Sequence, residues 1–438
     1  MNLDFGKYYD IINNTHLTKD SGKVTDVTGL LIKGYIPSVS IGSICEIQGA
    51  AAKPILAEVV GFKDRQVLMM SLSDMRGISM GSKITLAKSV ATVKVSEELL
   101  GRVVDGLAQP LDGKPDLEMI KEVPLYSEVV NPLSRKPIRE SLDVGVRAIN
   151  AAITVGRGQR VAIMAGSGVG KSVLMGMMAK ETEADVNVIA LIGERGREVR
   201  EFIENELGPE GMKKTVVVCV TSDQSPLLRM RGAYVATAIA EYFAGQGKNV
   251  LLVMDSVTRF AMALREIGLS IGEPPSTRGY TPSVFSTLPK LLERAGNFEN
   301  SGSITGFYTT LVESDDMNDP IGDAVRSIVD GHIVLSRDLA HKGHFPAIDI
   351  LQSASRVMKS VSSPEHSRNA MKLREILAIY KESEDLINIG AYKMGANPKI
   401  DKAIKSIDAI NDFLKQRTDD HCSMNQCLKQ LMQITSGL

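Results

Sequence analysis

Eight residues from Ala165 to Ser172, in the order A-G-S-G-V-G-K-S, set a glycine-rich turn before a lysine and a hydroxyl side chain. Phosphate binding needs that combination. Gly166, Gly168 and Gly170 let the backbone curl so that successive N–H groups converge, and a following helix adds the positive end of its dipole. Lys171 then reaches β- and γ-phosphate oxygens, while the Ser172 hydroxyl can ligate Mg²⁺. Ser167, Val169 and Val173 belong to the same expected cradle. Ala165 stands where such loops usually open on glycine; it is small enough to fit but resists positive φ. Val161 to Met164 is an apolar run of strand character, and Val173 to Ala179 is apolar enough to open a buried helix. Strand, loop and helix in that order outweigh the bland alternative, a structural turn with an incidental lysine. A nucleoside triphosphate is the expected ligand.

A triphosphate site needs a second metal anchor and a group that polarises water. Asp255 ends the apolar run Val250 to Met254, so a buried strand would deliver its carboxylate beside the loop. Without the loop, a cap for the next helix would be the better account of this aspartate. Glu194 follows a second apolar run, Val188 to Gly193, inside G-E-R-G-R-E, and a strand-end carboxylate can orient the attacking water. Arg195 is placed to meet the γ-phosphate, and Glu198, three residues on from it, to join the metal's water shell. Arg356 lies late in the chain, poorly placed for its own loop but able to reach a neighbour's. An arginine finger is worth roughly 4–7 kcal/mol in rate and a surface ion pair about 0–1 kcal/mol, so mutation separates the two roles.

These residues need scaffolding, and the rest of the chain supplies its pattern. Its 438 residues suffice for two or three domains. Lysine plus arginine (51) nearly balances aspartate plus glutamate (52), which argues against nucleic acid as a partner. There is no run of about 18 apolar residues, and Met1 to Phe5 lacks a secretory leader's charged and apolar regions, so a cytoplasmic location is expected. Cys45, Cys219, Cys422 and Cys427 are too scattered for a zinc ribbon, and His341 and His344 read as loop residues.

Residues 1–22 read as a polar, unpatterned leader. Residues 23 to about 90 alternate short β-branched runs with glycines, as in a small barrel. A turn-rich connector spans 100–113 and continues through Pro124, Pro132 and Pro137. From Gly145, apolar strands alternate with helices in the manner of a parallel sheet, with strands expected at 160–164, 186–192, 215–220, 249–254, 303–309 and 332–336. After about residue 357 strands stop and helical periodicity takes over, with Pro398 at a helix start. The expected domains are 1–90 (leader and barrel), 91–357 (nucleotide-binding α/β) and 358–438 (helical).

The loop, G-E-R-G-R-E-V-R-E-F-I-E at 193–204 and L-L-V-M-D-S at 251–256 together resemble the hexameric rotary-type ATPases. So do G-Y-T-P-S-V-F-S-T-L-P-K-L-L-E-R-A-G at 279–296 and P-A-I-D-I-L-Q-S-A-S-R at 346–356. Within that superfamily the loop and the helix after it most resemble the flagellar protein export ATPases of type III secretion. The resemblance implies a RecA-like α/β P-loop domain between an N-terminal β-barrel and a C-terminal helical domain, with ATP and Mg²⁺ as cofactors. It implies catalytic roles for Lys171, Glu194, Arg195 and a trans-acting Arg356, with Ser172 and Asp255 on the metal. It adds Arg259 to the active site and Phe345 against adenine. The implied partners are a homohexamer, export-gate membrane proteins, a regulatory or stator-like subunit, a central stalk-like subunit, and export chaperones with their cargo. Peripheral attachment to the inner face of the cytoplasmic membrane follows from those partners.

Four other functions compete. A virulence-type secretion ATPase tends to carry threonine where Val173 stands. A catalytic subunit of a rotary ATP synthase would need a separate non-catalytic chain. An RNA translocase would need a basic, aromatic face, and few aromatics (Tyr35, Phe62) occur in the barrel segment. A nucleotide-binding module without turnover is disfavoured by Glu194, because non-catalytic relatives place glutamine there.

Overall fold

A computed structural model describes residues 20–50, 53–118, 120–127, 131–299, 301–312 and 319–436. The chain divides into two compact units: the described residues up to Thr92 together with Glu266–Pro274, and the remainder.

In the first unit six strands close into a barrel. Around the barrel they run Ser21–Thr28, Leu31–Tyr35, Gln66–Ser71, Ile55–Lys63, Ile44–Ile47 and Lys83–Lys88. Alternation of inward residues is what closes a barrel over a core, and here Val24, Ile32, Ile47, Ala57, Met69 and Ile84 fill it. Gly34 suits a close approach of two strands, since a Cβ there would stand 2.9 Å from the Lys23 carbonyl oxygen as well as against Ile84 Cδ1. The expected leader needs correcting at its end. Residues 1–19 lie outside the described residues, but Ser21 and Gly22 already pair with Thr85 and Ile84 in the seam that closes the barrel. Backbone hydrogen bonds hold that segment, so it carries no side-chain pattern.

The second unit is built on a sheet whose strand order is Ile348–Ser355, Gly331–Leu335, Arg160–Ala165, Ser303–Leu311, Asn249–Asp255, Val186–Ile192, Thr215–Val220 and Val103–Val104. These strands run parallel except Ile348–Ser355, which is antiparallel at one edge. A parallel sheet covered on both faces demands continuous apolar strands; Val186–Ile192 and Thr215–Val220 are buried at every position. Two strands escaped the apolar pattern. Val103–Val104, expected within a turn-rich connector, instead pairs with Val217 and Val218. Two residues are too few to show a period. Its loop is held by Arg102, which donates to both carboxylate oxygens of Asp112 at 2.7 and 2.9 Å. Ile348–Ser355 was missed because half of its positions are polar.

Helices cover the sheet, and the tail is helical: Pro364–Asn388, Pro398–Leu414 and Met424–Ser436. The first starts at Ser363, whose hydroxyl accepts the His366 N–H, and the second at Asn397, with Pro398 in its first turn. A cap of this kind is worth ~1 kcal/mol. Arg374 docks the tail by donating to the carbonyls of Ala152 and Ser353, both at 3.0 Å. Gln416 bridges back to the Gly145 carbonyl at 2.8 Å. The four cysteines are free and buried, and no helix of the described residues is long and apolar enough to cross a membrane.

Candidate nucleotide site

The Arg160–Ala165 strand runs in the middle of the sheet and empties directly into the glycine loop. Gly168 and Gly170 adopt φ of 77° and 87°, left-handed values that suit glycine, and the helix Lys171–Glu181 begins at once. That helix packs close to the helical segment Phe202–Leu207 because Gly176 has no side chain; a Cβ there would stand 2.7 Å from Glu206 Cβ. A cleft of about 920 Å³ opens over the loop, lined by Gly166, Ser167, Gly168, Gly170, Lys171, Ser172 and Val173. Val169 does not join them: its side chain is 2 % exposed and packs in the core, leaving only its backbone for a ligand.

Neighbouring strands deliver acids to the same edge. Lys171 Nζ donates to Asp255 Oδ1 at 2.6 Å and lies 3.7 Å from Glu194 Oε1. Asp255 is 2 % exposed and sits behind Lys171 instead of lining the cleft. Thr309, on the strand between loop and aspartate, donates its hydroxyl to the same Oδ1 at 2.7 Å. Glu194 and Glu198 both line the cleft. The Glu194 carboxyl is pushed up to about 7, first by burial and then by the charge of Asp255. Its Oε1 is buried and has no hydrogen-bond partner among the described residues.

Two arginines line the cleft as expected. Arg195 is largely exposed and lies 3.5 Å from Glu198. Arg259 is inserted beside the strand end, and its buried Nε has no hydrogen-bond partner among the described residues. An unmatched guanidinium nitrogen in the same cleft as the glycine loop suits an anion. The donors nearby that suit a cation are all oxygens, from Ser172, Asp255, Glu194 and Glu198, the set that Mg²⁺ prefers. The residues present therefore fit both a triphosphate and its metal.

Two expected residues stand apart. Phe345 does not line the cleft, but its ring carbons would be 3.6 Å from a Cβ on Gly170, and its carbonyl accepts the Gln416 N–H at 2.9 Å. Arg356 is not brought to the loop: its guanidinium donates to the Arg326 carbonyl at 3.3 Å. Ser222, Thr258, Met262 and Arg337 line the cleft without having been singled out. Arg337 had a usable signal, since it follows an apolar strand as Glu194 does. Thr309 had none, because a threonine inside a buried strand looks like any other. His344 lies in a loop as expected, though it is only 6 % exposed, whereas His341 ends the short helix Arg337–His341.

Fold and cleft together define a P-loop nucleotide-binding protein with its acids at the carboxyl edge of a parallel sheet. The ATP synthase alpha/beta family matches in its nucleotide-binding domain at residues 145–355 and in its beta-barrel domain at 18–86, and the T3SS EscN ATPase C-terminal domain matches at 362–433. The flagellum-specific ATP synthase of Bacillus subtilis is 53% identical, covering 98% of each chain. The assembled ATPase EscN of the enteropathogenic E. coli type III secretion system superposes with a TM-score of 0.89 at 46% identity, over 94% of this chain and 100% of that one. EscN in complex with its central stalk EscO gives 0.88 at 45%, with the same coverage. The chain belongs to the flagellar and type III secretion ATPases of the ATP synthase α/β family.

Proposed function

We propose that the chain is an Mg²⁺-dependent ATPase that works as a homohexameric ring and serves export of flagellar proteins. The observation that carries this is the convergence of Lys171, Asp255 and Glu194 beside a glycine loop in which Gly168 and Gly170 take left-handed φ. Backbone N–H groups of the loop and Lys171 bind the phosphates, with Arg195 and Arg259 adding charge near the terminal one. Ser172 and Asp255 hold the metal, and Glu198 supports its water shell. Bound Mg²⁺ supplies charge neutralisation at the transferring phosphoryl group. Glu194 orients and deprotonates the attacking water. Phe345, beside Gly170 and outside the cleft lining, is the residue offered to the adenine ring.

Arg356 supports the ring. Its guanidinium is held on the Arg326 carbonyl, away from its own loop, and a neighbouring copy would receive it. The relatives add support: EscN is described as assembled, and with a central stalk. By extension the ring here meets a stalk-like subunit, a regulatory subunit, export-gate membrane proteins and chaperone-borne cargo, in the cytoplasm at the inner membrane face. The likeness to EscN favours one second reading, use in a virulence-type secretion system. Hydrolysis per chain should rise steeply with protein concentration as rings form, followed by sedimentation in parallel. Activity that stays flat in a verified monomer overturns the ring.

A further inference from the structure

Both side-chain hydrogen bonds that Asp255 receives among the described residues end on one oxygen. Oδ1 accepts Lys171 Nζ at 2.6 Å and Thr309 Oγ1 at 2.7 Å. We propose that Thr309 is a positioning residue for the Asp255 carboxylate, occupying Oδ1 so that Oδ2 stays available to the hydration shell of a nucleotide-bound divalent cation. This rests on the reading of Asp255 as the second metal anchor.

The two donors differ in permanence. Lys171 sits on a four-carbon stem in the cleft wall, and a triphosphate competes for its ammonium. Thr309 is completely buried in the middle of the sheet, one step beyond the Met254–Tyr308 pairing of adjacent parallel strands. Its β-branched side chain has few rotamers, and backbone pairing with Ile163 on the other side fixes its strand. When Lys171 turns to phosphate, the Thr309 hydroxyl is the donor that remains. Without it the carboxylate is free to turn about its last torsion, which is broad for aspartate. Partners behind a metal ligand that fix its orientation typically change metal affinity by roughly 10–100-fold when removed.

The test is binding, not turnover. Affinity for a fluorescent ADP analogue is measured in excess Mg²⁺ and in EDTA, and the ratio reports what the metal adds. Thr309→Val keeps the shape and removes the donor; the ratio should fall about tenfold while affinity in EDTA is unchanged. Thr309→Ser should restore it. Thr309→Ala serves as second variant, and thermal melting checks that each folds. A parental ratio in Thr309→Val, or a defect in Thr309→Ser as deep as in Thr309→Val, overturns the proposal. Asp255→Asn separates the layers: if it lowers the ratio and Thr309→Val does not, only the role of Thr309 falls. If Asp255→Asn also leaves the ratio untouched, the metal-anchor reading falls and takes Thr309 with it.

Discussion

Lys171 Nζ rests 2.6 Å from Asp255 Oδ1, a pair whose side chains are 13% and 3% exposed. With no phosphate bound, each charge is the other's main compensation. Lys171→Ala leaves a buried carboxylate with no opposing charge and only the Thr309 hydroxyl as side-chain donor, which costs on the order of 3–5 kcal/mol. Chemical denaturation of the nucleotide-free protein should show that loss, and adding Asp255→Asn should recover most of it. Nucleotide binding should stay lost in both. If Lys171→Ala unfolds at the parent's midpoint, the pair contributes nothing to stability.

Glu194 is the group assigned to the water. Glu194→Gln keeps the shape and removes the base, so turnover should fall by ~10²–10⁴ with ATP binding retained. Single-turnover hydrolysis beside a binding titration reads the two separately. Parental rates in the variant would show that another group activates the water.

Arg356 is assigned to the neighbour's site. Arg356→Ala alone should lose ~10³–10⁵ in rate. Mixing it with Glu194→Gln protein should recover part of the activity, because some interfaces then pair an intact Glu194 with an intact Arg356. Mixed rings as inactive as either parent would place Arg356 in cis or in a structural role.

Asp112 offers a pH test away from the cleft. Arg102 first, with backbone N–H groups of Val103 and Lys114, holds its carboxyl down to about 2 from an ordinary value of 3.8. A depressed carboxyl stabilises the fold above its unfolded pKa and loses that contribution as pH falls toward its folded one. Asp112→Asn should therefore be less stable than the parent at pH near neutral. The gap should close between about pH 4 and pH 2, followed as the difference in denaturation midpoints. A gap independent of pH would mean that the loop is held by shape alone.

The cradle was legible because it is local. A glycine loop, a lysine and a hydroxyl fold against one another within eight residues, so type and spacing suffice. The sheet was legible for a related reason: strands buried on both faces must be apolar throughout, and the strand runs expected from Arg160 to Leu335 match those observed to within two residues at either end. Val103–Val104 and Ile348–Ser355 obey neither rule, one too short and one half polar, and only pairing reveals them.

Burial pattern and loop chemistry, both properties of neighbouring residues, were thus settled by the order of amino acids: a phosphate cradle on a parallel sheet, with carboxylates at strand ends. Which carboxylate meets which donor was not. Lys171 reaches Asp255 across 84 positions of chain and Thr309 reaches it across 54, and no local period encodes such a meeting. Strand order decides it, by placing the Ser303–Leu311 strand between the loop and the aspartate. The same order leaves Arg356 facing away from its own loop, because its position follows from the antiparallel edge strand that ends at Ser355.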